Sequence, residues 1–147
     1  MFRGALKRDA PSDTNSAVNA GHIHEPSKLY VTVNRVVYQP QAATPADRPY
    51  CFVYFITIHN DTDQAVTIKG RKWVVTNAAG EITAVEGEGV VGETPEIPPG
   101  GSFTYNSFHL LDTPTAVAQG SYLGMDGSGQ TVLTRIPKFE MAAPSLA

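Results

Sequence analysis

Residues Tyr50–Asn60 read YCFVYFITIHN. Nearly every position is aromatic or β-branched, the composition that suits a pleated strand. Both alternating faces, Phe52-Tyr54-Ile56 and Cys51-Val53-Phe55, are apolar. That pattern predicts a strand lying centrally between two layers. The polar run Asn60-Asp61-Thr62-Asp63 marks the turn that ends it.

Strand patterning continues on either side. Upstream, Leu29, Val31 and Val33 alternate with Tyr30, Thr32 and Asn34, and Val36-Val37-Tyr38 follows. This is a period of two. Pro40 to Pro49 is a polar, proline-containing loop. Downstream, Ala65 to Thr76 holds Trp73 and ends at Asn77-Ala78-Ala79-Gly80. Glu81 to Val85 is a short strand. Gly87 to Gly101 is rich in glycine and proline and is expected to be mostly loop. Ser102 to Leu110 alternates again. Ser121–Met125 and Thr131–Ile136 form a hairpin around Asp126-Gly127-Ser128-Gly129. Pro137 and the alanine-rich end close the domain.

Seven or eight short strands and no helical period over three turns predict an all-β, antiparallel sandwich of immunoglobulin-like type. A small barrel is the alternative. The paired cysteines of antibody domains are absent, so the strand count alone carries the sandwich.

The length of 147 residues suits one domain. Residues 1–27 are expected to be a flexible tail, 28–141 the sandwich and 142–147 a short C-terminal tail. A 41% hydrophobic fraction is too high for a disordered chain. The net charge of -3 gives no attraction to nucleic acid or anionic membrane. With Cys51 as the single cysteine there is no intrachain disulfide. No apolar run is long enough to span a membrane. The first 25 residues lack the apolar core of an export signal, so a cytoplasmic location is expected.

Gly87-Glu88-Gly89-Val90-Val91-Gly92 fits G-x-G-x-x-G. In a dinucleotide-binding fold this run opens a helix. Here Glu93-Thr94-Pro95 and Pro98-Pro99-Gly100-Gly101 follow, and no helix can start. What survives is a backbone nest for an anion, with Gly87, Gly89, Val90, Val91 and Gly92 donating N–H groups. The plainer account is a glycine-shaped loop crossing between sheets. Lys69-Gly70-Arg71-Lys72 precede Trp73. Arg71 could hold a phosphate or carboxylate, or the run could be a solvated edge strand. Lys72, Trp73, Tyr105 and Ser107 are candidates for a partner surface. Glu86, Glu88 and Glu93 are the weak candidates for magnesium, against a merely hydrated acidic surface.

The remaining groups point elsewhere. His22, His24 and Glu25 lie in the expected tail, without the supporting shell that orients metal ligands. Ser107, His109 and Asp112 contain the residue types of a hydrolase triad. No nucleophile elbow surrounds Ser107, so that reading is set aside. Cys51 reads as a small core residue.

Taken together, several motifs resemble the ApaG family, or DUF525 domain. They are Arg71-Lys72-Trp73, the run Gly87–Pro95, Pro99-Gly100, Phe103-Thr104-Tyr105, Leu111-Asp112-Thr113-Pro114, Gly120-Ser121-Tyr122 and Ile136-Pro137-Lys138-Phe139. The resemblance covers roughly Tyr30 to Met141. It implies a fibronectin type III-like sandwich in a bacterial protein with a genetic link to cobalt and magnesium resistance or efflux. Related domains in a eukaryotic F-box protein and a polymerase-delta-interacting protein imply protein recognition. The family's glycine run has been proposed as a pyrophosphate site, a suggestion that Gly87, Gly89 and Gly92 inherit. The chain departs from the usual pattern at Asn106-Ser107-Phe108, where the family has Thr-Ser-Gly. It also has Lys72 where His is common before the tryptophan. Ala116 and Ala118 replace the usual Gly and Met after Thr113-Pro114.

The combined expectation is a non-enzymatic binding module without a cofactor, acting on a protein partner as a monomer or homodimer. A magnesium-dependent diphosphate or nucleotide sensor, or a phosphohydrolase-like protein, is the alternative.

Overall fold

The computed structural model describes residues 23–144. Eight strands run through them: β1 (Leu29–Tyr38), β2 (Tyr50–Asn60), β3 (Val66–Asn77), β4 (Ile82–Glu88), β5 (Glu96–Ile97), β6 (Gly101–Leu111), β7 (Thr115–Asp126) and β8 (Thr131–Ala142). One sheet has the order β1-β2-β6. The other has β4-β3-β7-β8, with β5 added against β3. Every pairing between these strands is antiparallel. The two sheets face each other, so the fold is the expected all-β sandwich.

The alternation in β2 sends Phe52, Tyr54, Ile56 and Ile58 into the space between the sheets, where each is at most 4% exposed. Val66, Ile68, Trp73 and Val75 of β3 and Tyr122 of β7 meet them from the other side. Burying side chains of this size is worth roughly 1.5–3 kcal/mol each against leaving them in water. Strand β2 is the middle strand of its own sheet, but it does not lie between two layers as its two apolar faces suggested. Its outer face is the surface of the sandwich, not a third layer. There Thr57 lies between Asn34 and Thr104 in a hydrogen-bonded row across the sheet.

A bulge decides what β3 presents to the core. The register with β7 shifts between Ile68 and Gly70, leaving Lys69 as the extra residue. Beyond a one-residue insertion every side chain changes face. Without it Gly70, Lys72 and Val74 would face the core. With it Arg71, Trp73 and Val75 do.

Several boundaries differ from expectation. Strand β4 runs on through Gly87 and Glu88, which pair with Arg71 and Gly70. Strand β7 begins at Thr115, among small residues that carry little alternation. Strand β8 passes through Pro137, because the register with β7 skips there and no ladder N–H is needed. The sandwich also begins earlier than residue 28. The His24 N–H donates to the Thr131 carbonyl, and its own carbonyl accepts from Leu133. Glu25 pairs with Arg135 at 2.9 Å. Most of the expected tail, His22 included, lies outside the described residues, as do residues 145–147.

Candidate functional site

The glycine run leaves β4 and turns back at its tip. Val90 donates to the Glu93 carbonyl at 2.7 Å, and Glu93 donates to the Val90 carbonyl at 3.0 Å. Between them Val91 and Gly92 have φ values of 48° and 80°. Positive φ at both central residues is the type I′ hairpin turn. Glycine suits the second position. Valine at the first is a genuine outlier, because its β-branch crowds a left-handed backbone. Gly89 closes the base of the turn. Its N–H donates to the Lys69 carbonyl at 2.8 Å. A Cβ on Gly89 would collide with the Glu93 carbonyl oxygen. Val90 is fully buried and anchors the turn in the core, while Val91 is 56% exposed at the tip.

Arg71 clamps the loop from beneath. Its Nη1 donates to the Glu88 carbonyl at 2.8 Å and to the Gly89 carbonyl at 3.1 Å. The guanidinium lies flat on Gly87, where a Cβ would approach it to 2.8 Å. Tyr54, Tyr105 and Tyr122 lie near enough to feel the charge of this cation. The Tyr105 and Tyr122 hydroxyls hydrogen-bond to each other. Burial pushes both phenols well above their usual range, and the Arg71 charge opposes that in part. Burial also raises Tyr54, against hydrogen bonding from Ser107.

Beside the tyrosines lies a second cluster, built on Trp73 and His109. Their rings meet edge to face at 4.6 Å, and the Tyr54 ring lies 4.8 Å from His109. Trp73 Nε1 and His109 Nε2 are buried and make no hydrogen bond among the described residues. Burial lowers His109 to about 4, so it is neutral at physiological pH.

These positions correct several sequence expectations. Trp73 is 2% exposed and belongs to the core, not to a partner surface. Tyr105 and Ser107 alternate inward on β6 and are half-buried. Lys72 is exposed on the outer face, opposite Glu86. The reason is the bulge at Lys69. Arg71 gives its Nη1 to two carbonyls of its own chain. Two of the N–H groups assigned to an anion nest, those of Gly89 and Val90, are already donating to carbonyls. Glu86 and Glu88 lie on the outer face of β4, and Glu93 lies beyond the turn. Among the described residues no three His, Cys, Asp or Glu side chains come together as metal ligands. Ser107 and His109 share a face of β6 without bonding, and Asp112 accepts from Asn77 instead.

The fold and this clamped turn define a small β-sandwich domain with an exposed hairpin tip. The ApaG domain family (DUF525) matches residues 40–126. Protein ApaG of Sodalis glossinidius is 44% identical over 119 residues, 81% of this chain and 94% of that protein. Protein ApaG of Proteus mirabilis is 40% identical over 82% of this chain and 95% of its own length. A Bordetella pertussis crystal structure assigned as an ApaA protein superimposes with a TM-score of 0.73 at 30% identity, covering 82% of this chain and 98% of that one. The chain belongs to the ApaG family.

Proposed function

We propose that the protein is a non-enzymatic recognition module that acts in the cytoplasm and binds a protein partner through the Val90–Pro95 turn. The observation that supports this is Val91. A left-handed backbone costs a non-glycine residue roughly 1–2 kcal/mol. Such strain persists where the surroundings enforce it, and it clusters at active sites, ligand clamps and switch regions. Here the Arg71 clamp, the Gly89 bond and the buried Val90 enforce it. A glycine at position 91 would make the same turn without strain. Valine keeps an apolar side chain exposed at a rigid tip, which lowers the entropy lost on binding.

An anion would find fewer free donors in this loop than its glycine content suggests, so protein recognition is the reading we adopt. No helix among the described residues is long and apolar enough to cross a membrane. On this reading, any effect on cobalt or magnesium tolerance runs through the partner.

The test is site-specific photo-crosslinking in growing cells, with the reactive amino acid at Thr94, next to the tip. One discrete protein adduct is expected. It should vanish in a Val91→Asp background and be absent when the probe sits at Gln119 on β7. No discrete adduct, or one indifferent to Val91→Asp, refutes the proposal.

A further inference from the structure

We propose a second docking site on the open side of the sandwich, between the edge strands β4 and β6. Its occupant is an extended partner segment that carries an apolar side chain beside lysine or arginine and adds as a strand to β6. This rests on the reading of the protein as a recognition module and extends it to a different surface.

A groove of about 580 Å3 lies there, with Val85 and His109 on its floor. Strand β6 pairs with β2 on one side and with no other strand among the described residues. An unpaired strand edge is a row of free backbone donors and acceptors, ready to take another strand. Natural edges are usually blunted by lysine, proline or shortness. The β6 edge has 11 residues, GSFTYNSFHLL, with no lysine and no proline. Five successive residues, Phe108 to Asp112, line the groove, so the backbone edge itself borders it. Phe108 is 55% exposed at its margin.

Charge selects the occupant. Asn77 Nδ2 donates to Glu81 at 2.9 Å and to Asp112 at 3.1 Å, holding two carboxylates together at one end of the groove. Neither has a salt-bridge partner among the described residues. Asp47 adds a third acid against a single base, Arg48. A basic segment complements this rim. A second copy of the chain fits poorly, because its net charge is -3 and its β6 edge brings no cation.

The experiment begins by panning a phage-displayed library of random short peptides against the full chain. The strongest binder is then synthesised and titrated calorimetrically into the wild type and variants. Enriched peptides should combine lysine or arginine with an apolar residue. Affinity should fall about tenfold or more in Phe108→Ser, the loss expected of an aromatic anchor. Asp112→Asn should weaken binding several-fold, and added salt should weaken the wild type in the same direction. Val91→Asp should bind normally. The amides of β6 facing the groove should exchange more slowly with peptide bound. Both altered positions are exposed, and circular dichroism checks that the variants are folded. Enrichment of acidic peptides, or of none, overturns the proposal. So does binding indifferent to both substitutions, or a wild-type dimer that Phe108→Ser dissociates. Loss in Val91→Asp alone would place the peptide on the hairpin tip, removing this site while leaving the recognition reading standing.

Discussion

The Arg71 guanidinium lies flat on Gly87, so close that a Cβ at that glycine would come within 2.8 Å of it. The two residues are cross-strand partners on β3 and β4. The absence of a side chain at one lets the other reach past it to the Glu88 and Gly89 carbonyls. One glycine of the run therefore seats a cation of this chain.

Gly87→Ala should expel the guanidinium and lose both bonds, costing about 1–3 kcal/mol in urea unfolding. Arg71→Ala should cost a similar amount for the same reason. The double variant should then be scarcely worse than either single one, because contacting residues are not additive. Additive losses would show that the pair does not act as a unit.

The two ends of the turn should respond in opposite directions. Val91→Gly relieves a left-handed valine, and the gain survives the added chain entropy of glycine, for a net stabilisation of about 0.5–1 kcal/mol. Gly89→Ala meets both a φ of 64° and the Glu93 oxygen. It should destabilise by at least about 2 kcal/mol. Thermal melts of the two variants check this, and a destabilised Val91→Gly would remove the case for strain.

Much of the fold was legible in the sequence, and most of the site was not. Strands β1 and β6 show alternation because one face of each is turned to the core, and β2 shows as a strand through aromatic and β-branched residues on both of its faces. The start of β7, Thr115-Ala116-Val117-Ala118, is built of small residues that mark no face. Pro137 reads as a stop, but a register shift lets β8 continue through it. The orientation of Arg71 and Trp73 was hidden for a different reason. A single bulge at Lys69 inverts the face of everything after it, and the adjacent Gly70 is only a weak sign of a bulge. The glycine motif and Arg71 were both visible as parts of one candidate site, but the cross-strand pairing that seats the guanidinium on Gly87 was not.

Stability should fall in acid because of His109. Burial lowers its folded value to about 4 from the usual 6.5. Between those limits the unfolded chain binds the extra proton, so stability rises with pH there and falls as pH drops from 6.5 to 4. The loss is on the order of 3 kcal/mol. Asp126, held below its usual 3.8 by Ser128, contributes only at still lower pH. Urea unfolding across this window should show the slope in the wild type and a flatter profile in His109→Phe. Equal slopes would mean that another group titrates.

The most direct test of the central claim is a backbone-amide NMR titration with pyrophosphate, ATP and diadenosine polyphosphates, each with and without magnesium. The claim is that the glycine run clamps and projects a protein-binding turn, with its Gly89 and Val90 amides engaged inside the chain. It predicts no saturable shifts at millimolar ligand. Saturable shifts confined to Gly87–Gly92 and Arg71 would contradict it and make the loop an anion site.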